Sequence, residues 1–202
     1  MSLKIGILGG TFDPPHIGHL WIVQQVLEVY KLDYIWFMPC YTGSGYAKYI
    51  KTSCADRARM CTDTVVDFRD PRIQTIGLEI EKKIKYTYQT VKYLKGYFGK
   101  TPRIVYLEGK EVCYKNAKFS LIIGSDWDIE SFKNCEEVKT FFKIIRVNRP
   151  GSPGLDPVKL PISFCLSSSL VRERVSNGLS IRGLVTPTVE QYIKRKKLYV
   201  RN

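Results

Sequence analysis

The sequence predicts an α/β fold, a doubly wound parallel sheet with helices on both faces, on three observations. Short apolar runs alternate with segments of helical period along most of the chain, as strand–helix–strand units require. The first apolar run, Ile5 to Leu8, passes directly into Gly9-Gly10 and a helix start marked by Pro14-Pro15, the kind of join at which such folds hold ligands. The 202 residues fit one domain over 1–202, long enough to bury an ordinary core.

Lys4–Leu8 reads as the first strand, His19–Tyr30 as a helix and Asp33–Met38 as the second strand. A loop from Pro39 to Thr52 follows, in which Gly43-Ser44-Gly45 suggests mobility. Ser53 caps a helix over Ala55–Phe68, since its hydroxyl can take an N–H of the first turn. Ile73–Ile76 is a third strand, and Tyr86–Phe98, with Val91, Leu94 and Phe98 at helical spacing, is a helix ended by Gly99. Phe119–Ile123 and Phe142–Val147 read as buried strands. Ser168–Ser176 is a helix stopped by Asn177-Gly178, and Thr188–Lys196 is the last. Arg103–Leu107 and Glu111–Tyr114 alternate around Glu108-Gly109-Lys110, which predicts an inserted β-hairpin near 101–115. It is decoration on an edge, or else part of substrate closure or of an oligomer contact.

Composition excludes more than it assigns. No apolar run approaches the roughly 20 residues that span a bilayer, and no charged-then-apolar signal segment opens the chain, so the expectation is a cytoplasmic protein without membrane contact. The six cysteines form no CxxC pair, which argues against a zinc site and against a secreted disulfide framework. A net charge of +13 suits anionic partners, but the lysines and arginines are dispersed and no nucleic-acid-binding motif accompanies them. Small phosphorylated substrates fit this charge; nucleic acid is not expected.

The informative string is Gly9-Gly10-Thr11-Phe12-Asp13-Pro14-Pro15-His16-Ile17-Gly18-His19. Glycines let the backbone turn and approach a ligand, and the residues after His16 read as a helix's first turn, whose N–H groups attract anions. His16 and His19 stand three apart and so project from one side of that turn, and they are the chain's two histidines. Strand, glycines, hydroxyl, helix start and paired imidazoles together describe a triphosphate site. A second box, Ser167-Ser168-Ser169-Leu170-Val171-Arg172, opens a late helix and offers hydroxyls and a guanidinium to the same end of the sheet.

These boxes resemble the nucleotidyltransferase superfamily marked by HxGH, here His16-Ile17-Gly18-His19, and within it the nicotinate or nicotinamide mononucleotide adenylyltransferases. The second box is similar to their Ser-Ser-Thr-x-Ile-Arg signature, with Ser169 for Thr and Val171 for Ile. Tyr86-Thr87, Gly124-Ser125-Asp126, Arg149-Pro150-Gly151 and Val185-Thr186-Pro187 match in family order. The resemblance implies a Rossmann-like fold and transfer of the adenylyl group of ATP to nicotinate mononucleotide, giving deamido-NAD and pyrophosphate. Nicotinamide mononucleotide and phosphopantetheine are alternative acceptors, and a regulator that binds NAD or ATP without turnover is the non-enzyme alternative.

The resemblance also implies roles. His19 is assigned to the α-phosphate, His16 and Arg172 to the β- and γ-phosphates, and Thr11 with the N–H of Phe12 to the acceptor phosphate. Gly9, Gly10, Phe12, Gly18, Gly124, Ser167, Ser168 and Ser169 belong to the ATP site. Asp126 either accepts from the ATP ribose or caps the following helix. Lys48 contacts phosphate, with Lys51 as substitute. Tyr86 and Thr87 hold the pyridine ring. The family's stacking Trp falls near Asn134-Cys135 and is missing, so Trp127 or Phe132 stacks instead or is core. No protein-held metal is expected; Mg²⁺ arrives on the ATP phosphates. A homo-oligomer is left open.

Overall fold

The computed structural model describes residues 2–42, 50–98, 104–107, 110–113, 117–148 and 166–201. In chain order the strands are β1 (Lys4–Gly10), β2 (Tyr34–Pro39), β3 (Ile73–Thr75), β4 (Ile104–Leu107), β5 (Lys110–Cys113), β6 (Lys118–Gly124) and β7 (Lys143–Val147). The helices are α1 (Ile17–Tyr30), α2 (Cys54–Phe68), α3 (Leu78–Glu81), α4 (Thr87–Phe98), α5 (Cys135–Phe141), α6 (Ser168–Ser176) and α7 (Pro187–Lys196), with a 3₁₀ turn at Ile129–Ser131. Five strands form one parallel sheet in the order β3-β2-β1-β6-β7. The order reverses beside β1, so the carboxyl end of β1 opens into the crevice between outgoing connections. The expected hairpin is present as an antiparallel β4–β5 pair with Leu107 opposite Lys110.

Both faces of the sheet are covered, and the strand sequences show why. Successive side chains of a strand point to opposite faces. In β2, Ile35 and Phe37 join the apolar cluster under α1, while Trp36 and Met38 join the cluster under α4 and α5. Ile122 of β6 likewise opposes Leu121 and Ile123. A strand covered on both faces therefore needs apolar residues at consecutive positions, which is the continuous run visible in β2. A third cluster, with Met60, Val171, Val185, Val189 and Ile193, packs α2, α6 and α7 together. It fixes where α6 can present its first turn.

Local signals set most of the element ends. The Ser53 hydroxyl accepts the Asp56 N–H at 3.0 Å to start α2. Asn177 caps α6 and is followed by Gly178 at φ 68°, and Pro187 sits at the first position of α7. The one-turn α3, the 3₁₀ turn and the seven-residue α5 have no counterpart among the sequence expectations, being too short to display a period. Gly99, Gly43-Ser44-Gly45, Tyr46-Ala47-Lys48 and Arg149-Pro150-Gly151 lie outside the described residues.

Candidate active site

A cleft of about 490 Å³ opens at the carboxyl end of the sheet, bordered by Gly9, Gly10, Thr11, Phe12, His16, Gly18 and His19 on one side. Phe12 has a left-handed backbone, φ 50°, which few non-glycine residues adopt. Burial holds it there: its ring is 2 % exposed and lies between Phe37, at 5.2 Å, and the edge of the His19 imidazole, at 4.9 Å. His16 is the N-cap of α1, and the two imidazoles stack with centroids 3.7 Å apart. The His16 N–H donates to His19 Nδ1 at 3.1 Å. An accepting Nδ1 carries no proton, so Nε2 of His19 is the atom that donates. Gly18 leaves room for the His16 ring, which a Cβ there would meet tightly at 3.1 Å.

The first turn of α1 is less open than its sequence suggests. The Ile17 N–H donates to the Leu184 carbonyl and the His19 N–H to the His16 carbonyl, each at 2.9 Å. Imidazoles, more than bare amides, are what this helix start offers an anion. The start of α6 is different. Ser167 caps it by accepting the Leu170 N–H at 3.2 Å, and among the described residues the Ser168 and Ser169 N–H groups meet no protein acceptor. Those amides can face phosphate.

Two bonds stitch α6 to the loop after β1. Arg172 donates from Nη1 to the Asp13 carbonyl at 2.6 Å and from Nη2 to the Ser169 hydroxyl at 3.1 Å. Ser168 donates its hydroxyl proton to the Pro14 carbonyl at 2.8 Å, so its side chain positions the loop. Both boxes of the sequence thus border one cleft, together with Ser167 and Leu166.

Two supporting residues went unread in the sequence. Asp13, 2 % exposed, accepts the Lys51 N–H at 2.6 Å, the Thr52 hydroxyl at 2.7 Å and the Tyr199 hydroxyl at 2.7 Å. Burial and this carboxylate push the Tyr199 phenol far above its ordinary range. Three donors make a buried carboxylate tenable. The fully buried Arg57 donates to the Thr11 carbonyl at 2.8 Å and the Tyr41 carbonyl at 3.2 Å. It braces the loop after β1 from behind. Nothing in the spacing of Asp13 or Arg57 marks them, because these partners are backbone groups and hydroxyls distant in sequence. Lys51 comes to the site through its backbone, and Lys48 lies outside the described residues.

The far end of the cleft is built from side chains of several elements: Met38, Cys40, Glu79, Thr87, Thr90, Asp126, Trp127 and Phe132. The 3₁₀ turn is capped by Asp128, which accepts the Glu130 N–H at 3.0 Å, so capping is not the task of Asp126. Asp126 is exposed along the cleft, and Gly124 makes room for it, since a Cβ there would collide with Oδ1. Trp127 and Phe132 pack edge to face at 5.7 Å and both border the cleft. Asn134 is instead the left-handed, exposed cap of α5. Thr87 borders the cleft, whereas Tyr86 is 43 % exposed outside its lining, against Tyr88 and under the Lys133 ammonium at 4.8 Å.

Among the described residues, Glu130, Cys135 and Glu136 are the one grouping of three metal-ligating side chains. Its two glutamates are exposed, and Lys139 pairs with both of them. The cleft's donors are hydroxyls, imidazoles, amides and a guanidinium, a set suited to phosphate oxygens. A more open groove of about 670 Å³ runs between α1, Asp67-Phe68 and α7 and holds neither His16, His19 nor Arg172. Among the described residues no helix is long and apolar enough to cross a membrane.

A five-stranded parallel sheet with paired imidazoles at the reversal of strand order defines a nucleotidyltransferase site, and the chain belongs to the cytidylyltransferase-like family, whose model matches residues 7–174. More narrowly, it is similar to proteins named "Probable nicotinate-nucleotide adenylyltransferase". That of Shouchella clausii is 35 % identical, over 97 % of this chain and 96 % of its own. That of Geobacillus thermodenitrificans is 36 % identical, over 97 % and 86 %. The fold matches the Plasmodium falciparum nicotinic acid mononucleotide adenylyltransferase solved in complex with NaAD, with TM-score 0.71, 20 % identity and 98 % of each chain covered.

Proposed function

We propose that this chain transfers the adenylyl group of ATP to nicotinate mononucleotide, forming deamido-NAD and pyrophosphate. The observation that carries the reading is the convergence of two helix starts on one loop, stitched by Arg172 to Asp13 and by Ser168 to Pro14. An oxygen of the acceptor's 5′-phosphate attacks the α-phosphorus of ATP, and the bond from that phosphorus to the bridging oxygen of pyrophosphate breaks. The nucleophile is already an anion, so the protein's work is alignment and stabilisation of charge. His19 Nε2–H serves the α-phosphate; His16, Arg172 and the Ser168 and Ser169 amides serve the β- and γ-phosphates. Thr11 and the Phe12 N–H serve the acceptor phosphate, Asp126 the ATP ribose, and Trp127 with Phe132 the pyridine face. Mg²⁺ carried on the phosphate oxygens supplies neutralisation of the departing pyrophosphate.

Pyrophosphate release from ATP with nicotinate mononucleotide, nicotinamide mononucleotide or phosphopantetheine tests this. Turnover is expected with the pyridine nucleotides, fastest with the nicotinate form. Turnover with phosphopantetheine alone, or with none of the three, overturns it. A cytoplasmic location and a single domain accord with this reading.

A further inference from the structure

The pyridine end of the cleft contains a carboxyl group that the adenylyl-transfer chemistry does not use. Glu79 stands on the one-turn helix α3, whose Leu78 is anchored in the core under α4. Thr90 of α4, itself 1 % exposed, donates its hydroxyl to Glu79 Oε1 at 2.7 Å. No other protein donor reaches the carboxyl among the described residues, and no lysine, arginine or histidine pairs with it there. It borders the same cleft as Thr87, Trp127 and Phe132.

We propose that Glu79 reads the substituent on the acceptor's pyridine ring and, when ionised, narrows the preference for a carboxylate-bearing over a carboxamide-bearing mononucleotide. This deepens the adenylyltransferase reading and rests on it. A ring substituent that is a carboxylate offers acceptors only, while a carboxamide offers two N–H donors and one acceptor. An ionised Glu79 therefore accepts from the amide and repels the acid. A protonated Glu79 donates to the acid. Burial pushes the Glu79 carboxyl up to about 7, so both forms are within reach of the bound state. The neighbouring groups do not mask it: the Cys40 thiol stands at the end of β2, its own pKa raised by burial, the Thr90 hydroxyl stands on α4, Asp126 borders the same cleft from the end of β6, and Glu81 on the same turn lies over Gly77.

The test is the ratio of kcat/KM for nicotinate mononucleotide to that for nicotinamide mononucleotide, in the full chain and in Glu79→Gln, at about pH 8, where a carboxyl titrating near 7 is mostly ionised. The amide introduced by Glu79→Gln would present an N–H to the acid at any pH and carries no repelling charge, so the ratio should rise at least tenfold. Both acceptors are read on one preparation, so partial loss of folded enzyme cancels. Glu79→Ala provides a second reading in the same direction, because it also removes the repulsion. A ratio within twofold of the parent in both variants, with the parent using both acceptors, overturns the assignment while leaving adenylyl transfer intact. A parent that uses neither pyridine nucleotide overturns the adenylyltransferase reading and this assignment with it.

Discussion

The two ends of the cleft hold their ligand groups by different means. At the phosphate end the groups come from two short contiguous strings, and backbone carbonyls of one string anchor side chains of the other: Asp13 O takes Arg172 and Pro14 O takes Ser168. At the pyridine end the groups come singly from the ends of β2 and β6 and from α3 and α4, and they meet through packing and one hydroxyl–carboxyl bond. Phosphate presents the same tetrahedral anion in every nucleotide, so a contiguous backbone-held cradle suits it. A ring with a variable substituent is met by side chains that can differ one at a time. Changes at the first end should therefore remove the reaction, and changes at the second should redirect it.

The largest effect is expected at His19. Its Nε2–H is oriented by the bond from the His16 N–H to Nδ1, and in the proposed reaction it serves the charge that grows as the α-phosphoryl group transfers. His19→Ala should lower kcat by about a hundredfold or more while thermal unfolding moves little. Near-parent turnover by a folded variant would break the assignment of this end.

Arg172→Lys comes next. An ammonium cannot both hold the Asp13 carbonyl and present a planar fork to two phosphate oxygens. About a tenfold to hundredfold fall in kcat/KM for ATP is expected from losing one charge-assisted pair. If ATP is used as well as by the parent, Arg172 only braces the loop. At the pyridine end, Trp127→Ala should raise KM for the mononucleotide by about tenfold, the order of a lost stacking face, with a smaller change for Phe132→Ala. An equal rise in KM for ATP would show that the aromatic pair faces adenine, which would exchange the two ends.

The same contrast explains what could be read in the chain. The sheet was legible because strands buried on both faces must be apolar at consecutive positions, as Ile35 to Met38 are. The phosphate end was legible because one helix start and its preceding turn lie within a single string. Asp13 was read past: its three donors come from Lys51, Thr52 and Tyr199, and no local pattern announces such a meeting. Glu79 went unread because α3 is a single turn and its partner Thr90 lies on another helix. Tyr86 was expected at the ring and lies outside the cleft lining, since Thr87 begins α4 and leaves its predecessor on the exposed side.

The smallest effect sharpens the comparison on stability. Glu79 keeps its proton in the folded chain up to about pH 7, whereas in the unfolded chain it loses it near 4.5. Between those values the unfolded state binds fewer protons than the folded one, so this carboxyl's favourable contribution is complete at low pH and is lost as pH rises through 7. Glu79→Gln is neutral throughout and shows no such loss. Urea unfolding of parent and variant should therefore diverge with pH, the variant gaining about 1–2 kcal/mol on the parent between pH 5 and 7.5, less than the full shift because the carboxyl borders a cleft that water can enter. Asp13→Asn should instead be destabilising, because the carboxylate has three donors and the amide would leave one of them without an acceptor. A parent–variant difference for Glu79 that stays flat from pH 5 to 7.5 would mean that its carboxyl is hydrated and ionised like a surface group, and the two ends of the cleft would then differ in shape but not in how they hold charge.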